Sequence, residues 1–199
     1  MTTRLILIRH GSTDWHQEKR YCGTTDLSLN NQGKKEARKL YQRLKKENIS
    51  RVYSSDARRA RQFAEIVFKR FSVKTMPELR ELDFGAFEGL TYEEITEKFP
   101  RIYARWLKNP IKSTIPHGES FSSLKRRVSG IFKKILFLNR NKTLALVTHA
   151  GPIKIIFNEI LKTKNIWAVT PDLASLSIID FKNGRGKILV YNETSYLNG

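Results

Sequence analysis

The sequence predicts an α/β fold of three layers, a central mostly parallel sheet with helices on both faces and a small helical excursion over the site. Three observations predict it. Short apolar runs of strand length alternate with amphipathic stretches of helix length. Two of these runs, residues 5–8 and 144–147, are apolar throughout, as strands buried on both faces are. Each of the two then passes directly into histidine and glycine, the composition of a loop at a strand end.

Taken in order, residues 5–8 form a first strand that ends before Gly11. From residue 31 to residue 48, Ala37, Leu40, Tyr41 and Leu44 recur at helical steps among charges, and Asn30 or Asn31 stands where a cap belongs. Residues 51–54 read as a second strand. Asp56 follows as the expected N-cap of a helix whose apolar face is Ala60, Phe63, Ala64, Val67 and Phe68. Residues 73–76 precede Pro77 as a short strand, and residues 85–89 form a loop. A helical stretch interrupted at Pro100 spans about residues 90–110. Residues 120–138 carry one apolar side at helical spacing, 143–147 are the clearest buried strand, and 153–161 an apolar helix. The chain closes on a hairpin of residues 175–180 and 187–191 around a turn at 183–186.

The 199 residues show no repeat, low-complexity segment or linker, and are expected to form one domain, 1–199. A single cysteine, Cys22, excludes an intramolecular disulfide and a cysteine-rich structural zinc site. No apolar run reaches the ~20 residues of a membrane span. The expectation is therefore a soluble cytoplasmic protein with no membrane partner. An excess of 37 Lys and Arg over 19 Asp and Glu, net +18, calls for an anionic partner. Because the cations are dispersed and the aromatics follow no RNA-binding signature, nucleic acid is the less favoured one.

Ligands of open α/β sheets bind at the carboxyl ends of strands, so His10 and His149 are placed to face one crevice. Arg9 and Gly11 flank His10, and Arg59 opens the helix after the second strand. Guanidinium forks of this kind match phosphoryl oxygens.

The run Leu7-Ile8-Arg9-His10-Gly11-Ser12-Thr13-Asp14-Trp15 resembles the opening signature of the histidine phosphatase superfamily, in its phosphoglycerate mutase-like branch. The resemblance continues in the family's order through Asp26-Leu27-Ser28-Leu29, Ser54-Ser55-Asp56-Ala57-Arg58-Arg59-Ala60, Leu79-Arg80-Glu81-Leu82-Asp83-Phe84-Gly85 and Val147-Thr148-His149-Ala150-Gly151. It implies that His10 is a nucleophile that becomes a phosphohistidine. Arg9, Arg59 and His149 would surround the phosphoryl group, and Glu81 would protonate the leaving alcohol. Glu78, Asp83 and Glu88 are the neighbouring carboxylates against which Glu81 is chosen. No metal and no cofactor are implied. Substrate contacts are expected from Arg9, Ser12, His16, Cys22, Gly23, Arg59, Ala150 and Gly151.

Departures from the family pattern concern the pocket. His16 stands where asparagine is common, Cys22 where glutamine is frequent, and Ala150 where glycine is frequent. Cys22 reads as a packing residue, with a thiol acidified near Arg20 as the alternative. Arg58 and His117 are expected at the surface. The resemblance implies a phosphatase acting on a small phosphorylated metabolite, among them α-ribazole phosphate, phosphoserine or a sugar phosphate. The alternative is a phosphoglycerate mutase, for which this chain has few residues to build a lid over the site. A polyanion-binding protein is the third reading, and a homodimer is left open.

Overall fold

The computed structural model describes residues 2–163, 165 and 167–198. One six-stranded sheet, in the order β3-β2-β4-β1-β5-β6, organises the chain. Its strands are β1 (Thr3–Arg9), β2 (Arg51–Ser55), β3 (Val73–Met76), β4 (Thr143–Thr148), β5 (Leu176–Lys182) and β6 (Arg185–Glu193). The first four run parallel to one another, with Ile8 opposite Val147 and Val52 opposite Ala145. The closing hairpin is antiparallel to β1, with Ile6 opposite Ile178. The expected three-layer α/β architecture is the one observed.

Alternation along the central strands assigns the layers. Leu5 and Leu7 of β1 and Leu144 and Leu146 of β4 face one core, and Ile6, Ile8, Ala145 and Val147 face the other. Each of these eight side chains is at most 1% exposed, and a fully buried leucine or isoleucine contributes about 1.5–3 kcal/mol. Helices α1 (Asp14–Gln17), α2 (Asn31–Leu44) and α3 (Arg58–Val67) precede β3 in the chain, and α2 and α3 close the second core through Ala37, Leu40, Ala60 and Phe63. After β3 come α4 (Tyr92–Lys98), α5 (Pro100–Lys108), α6 (Phe121–Leu138) and α7 (Ala150–Leu161). Of these, α6 and α7 cover the first core, with Leu124, Val128, Ile153 and Phe157. Among the described residues no helix is long and apolar enough to cross a membrane.

Element boundaries moved for identifiable reasons. Helix α2 ends at Leu44, four residues before the expected stop. The apolar stripe gives out at Lys45, Lys46, Glu47 and Asn48, so a further turn would have no face to bury. Asn30 is its cap, accepting from the Gly33 amide at 2.9 Å. Asp56 does not cap α3, contrary to expectation, because its carboxylate is held in a two-pronged pair by Arg80 (2.7 and 2.8 Å). Ala57 takes the cap position, and the exposed first amide, Arg58 N, donates to Asp26 Oδ1 at 2.7 Å. The hairpin turn is shorter than expected. Asn183 and Gly184, at φ of 51° and 74°, make the two-residue turn alone, and Arg185 and Gly186 belong to β6. Pro100 divides the excursion into two helices rather than ending it, since at the first position of α5 its missing N–H costs nothing.

Candidate active site

The carboxyl ends of β1, β4 and β2 lie side by side and deliver His10, His149 and Ser55 to one edge of the sheet. His10 (2% exposed), His149 (1%) and Arg59 (1%) are buried there, and Glu81 (8%) lies beside them. The imidazole of His10 stands edge-on to those of His149 and His16, with ring centres 4.9 and 5.5 Å apart.

The backbone sets the orientation of His10. Its Nδ1 lies 2.8 Å from the Gly11 carbonyl, which can only accept, so Nδ1 carries the proton and Nε2 the lone pair. Arg59 Nε donates to that Nε2 at 3.3 Å. The rest of the guanidinium is fixed by carbonyls of the loop before it, Nη1 by Thr25 at 2.9 Å and Nη2 by Gly23 at 2.8 Å. The loop is itself held by Glu88, whose carboxylate accepts from the amides of Gly23 (2.9 and 3.0 Å) and Thr25 (2.9 Å). Glu88 thus anchors the frame on which Arg59 rests.

Arg9 is tethered by Nη1 to the Pro171 carbonyl at 2.8 Å, and its Nη2 lies 3.5 Å from His16 Nε2. His16 Nδ1 accepts from the Thr13 amide at 3.2 Å, which leaves the His16 proton on Nε2. Two N–H donors, from His16 and Arg9, therefore lie side by side, an arrangement suited to an oxyanion.

His149 is the N-cap residue of α7. Its Nε2 is 2.9 Å from Ser55 Oγ, and that oxygen also accepts from the Ala57 amide at 3.3 Å. The Ser55 hydroxyl thus fixes the Nε2 side of the ring, and the buried Nδ1 of His149, at the mouth of a helix N-terminus, has no protein partner among the described residues. Replacing Ser55 with alanine removes the side chain that holds the His149 ring. We expect kcat to fall about tenfold with KM little changed, recovered by Ser55→Thr, in steady-state phosphate release.

Glu81 approaches from the opposite side, its carboxylate accepting from the amides of Gly151 (3.0 and 3.1 Å) and Leu82 (2.8 Å). A side chain at residue 151 would push that carboxylate aside, so glycine lets Glu81 stay on the amide. The loop carrying Glu81 is fastened by Arg127, which donates to the carbonyls of Glu78, Arg80 and Glu81 at 2.7–2.8 Å and pairs with Glu119.

The other expected site residues fall as follows. Ala150 begins α7 beside Glu81. Ser12 is committed to the scaffold, its amide to Glu36 at 2.8 Å and its Oγ accepting from Asn30 at 3.3 Å. Cys22 offers its carbonyl to Arg59 at 3.4 Å, while burial pushes its thiol up to about 11. Arg20 pairs with Glu18 and Glu94 instead of acidifying that thiol. Arg58 and His117 are exposed. Sequence reasoning did not single out Ser55 or Arg127, and it weighed Glu88 only as an acid, not as the anchor of the Gly23 loop. Ser55 lies inside a quoted motif, whereas Arg127 is one cation among many on a helix.

Burial, with the nearby guanidinium groups of Arg59 and Arg9, keeps His10 and His149 well below the ordinary 6.5, and His16 at about 3. All three imidazoles are neutral in the folded protein at pH 7. The unfolded chain protonates them as pH drops through about 6.5, binding more protons than the folded one, so stability must fall with pH there. We expect a loss of about 1–1.4 kcal/mol per pH unit per histidine between pH 6.5 and 5, read from urea denaturation. A flat profile over that window would contradict neutral burial.

A neutral imidazole with its lone pair turned toward the Arg59 guanidinium, at the strand ends of an α/β sheet, defines an enzyme of phosphoryl chemistry. The chain belongs to the histidine phosphatase superfamily (branch 1), whose sequence pattern matches residues 5–194. It is 32% identical over 198 residues to phosphoserine phosphatase 1 of Hydrogenobacter thermophilus, covering 98% of this chain and 94% of that protein. Among solved structures it is similar to YhfR of Bacillus stearothermophilus, with a TM-score of 0.92, 28% identity, and 98% and 99% of the two chains covered. It is also similar to a phosphoserine phosphatase mutant of Entamoeba histolytica in complex with phosphoserine, with a TM-score of 0.88, 26% identity, and 98% and 99% coverage. Family and relatives support a phosphatase, and the phosphatase reading is favoured over the mutase.

Proposed function

We propose that this protein hydrolyses small phosphate monoesters in two steps through phosphorylated His10, without a metal, as a cytoplasmic enzyme of one domain spanning residues 1–199. The observation that carries this reading is the orientation of His10. Its Nδ1 proton is committed to Gly11 O, and its Nε2 lone pair faces Arg59 Nε.

In the first step His10 Nε2 attacks phosphorus, an N–P bond forms and the P–O bond to the alcohol breaks. Glu81 gives its proton to the leaving oxygen. Arg9, Arg59 and His149 neutralise the equatorial oxygens as charge redistributes over them, and His16 Nε2 adds a fourth donor. In the second step Glu81 takes a proton from water, the water oxygen attacks phosphorus, and the N–P bond breaks to release inorganic phosphate and neutral His10.

The relatives named phosphoserine phosphatase support a small phosphorylated metabolite as substrate. The test is inorganic phosphate release, with chelator present, from p-nitrophenyl phosphate, phosphoserine, α-ribazole phosphate and 3-phosphoglycerate. Rapid acid-free quenching of the labelled enzyme accompanies it. Release that survives chelator, with acid-labile label on His10, is expected. Interconversion of phosphoglycerates without net release would instead favour the mutase.

A further inference from the structure

An apolar pocket of about 100 Å³ opens beside Glu81, bounded by that residue, Ala150 and Gly151. Its wall is Phe84, Trp106, Phe121, Leu124 and Trp167, the two indoles meeting edge to face at 5.9 Å. Neither His10, Arg9 nor Arg59 lines it.

Position relative to the reacting atoms gives this pocket a meaning, on the reading that His10 attacks phosphorus and Glu81 protonates the leaving oxygen. In-line displacement puts the leaving oxygen opposite the nucleophile and within reach of Glu81. The carbon skeleton of the alcohol must then continue past Glu81, away from His10, and the space it meets there is this pocket.

The chemistry of the walls selects the alcohol. The volume is of the order of the ~150 Å³ apolar cavities that take a benzene ring. An α-amino acid side would need a carboxylate for its ammonium group, and the two carboxylates at the pocket are committed. Both oxygens of Glu119 are held by Arg127 at 2.8 and 2.7 Å, and Glu81, on the reading above, carries the proton for the leaving oxygen and is then no counter-ion. The remaining charge is the Lys154 ammonium, 4.5 Å from the centre of the Trp167 ring and without a carboxylate partner among the described residues. An ammonium group beside it would be buried and repelled.

We infer that the pocket between Glu81 and the Trp106–Trp167 pair binds the leaving group, and that the preferred substrates are phosphate monoesters of alcohols bearing a planar apolar ring rather than a zwitterionic amino acid. Ring burial against the indoles supplies the discrimination.

The test compares kcat/KM for benzyl phosphate, ethyl phosphate and phosphoserine in the full chain, alongside two pocket variants. Leu124→Phe fills the pocket and Trp167→Ala, at a half-exposed position, opens it, with folding of each checked by circular dichroism. We expect benzyl phosphate to exceed both other esters at least tenfold, and the benzyl-to-ethyl ratio to fall at least threefold in whichever variants fold. A ratio near one, preference for phosphoserine, or a high ratio untouched in the folded variants would overturn the inference while leaving the phosphatase reading intact. No release from any ester by the folded protein would overturn that reading, and the inference with it.

Discussion

Replacing His10 with alanine is expected to lower kcat for phosphate release by about 10⁴-fold or more, the scale on which loss of a nucleophile acts. Substrate affinity should change far less. Arg9 remains tethered to the Pro171 carbonyl, and Arg59 remains fixed by the Gly23 and Thr25 carbonyls, none of which depends on the imidazole. The protein is also expected to stay folded, since the strand beneath His10 is secured by Leu5, Ile6, Leu7 and Ile8 on both faces. Calorimetric titration with a substrate, together with single-turnover kinetics, separates the two effects. Activity within tenfold of the native protein would show that another group attacks phosphorus.

The second large effect is expected at Glu81. Changing it to glutamine preserves the acceptor oxygen that the Gly151 amide uses but removes the transferable proton. For an alkyl phosphate, whose alkoxide leaves poorly, kcat should drop by about 10²–10⁴-fold. For p-nitrophenyl phosphate the phenolate departs without a proton, so phosphorylation of His10 should continue while hydrolysis of the intermediate slows. The variant should therefore give a burst of nitrophenol followed by a slow steady rate. Equal losses with both esters and no burst would assign the proton to another group, and Glu88 is already engaged with three amide contacts in the Gly23 loop.

Much of this arrangement was legible in the residues because it rests on local pattern. The apolar runs that form β1 and β4 identify themselves, and the histidines that follow them are where such strands deliver functional groups. What escaped the sequence depends on contacts between distant segments. Asp56 has the composition of a cap, but Arg80 claims its carboxylate, and Asp26 serves the helix instead. Ser55 looks like any strand-end serine until β2 lies beside β4 and its hydroxyl meets His149. Arg127 is indistinguishable in sequence from Arg126, yet it alone of the two fastens the loop of Glu81. The indole pair beside Glu81 joins the excursion to the segment before β5, so no motif could announce it.

The pairing of β1 carries a consequence for how the chain acquires its shape. This strand is near the amino terminus and central in the sheet, with Ile8 opposite Val147 on one side and Thr3 opposite Phe181 on the other. During synthesis its apolar side chains emerge well before those of β4 and β5, the two strands it pairs with. Closing such long loops is entropically slow, so the intermediate should be aggregation-prone, and chaperones should raise the yield of active protein more than they alter its final stability. His10 and His149 meet when β1 pairs with β4, which makes catalytic activity a clock for that step of folding.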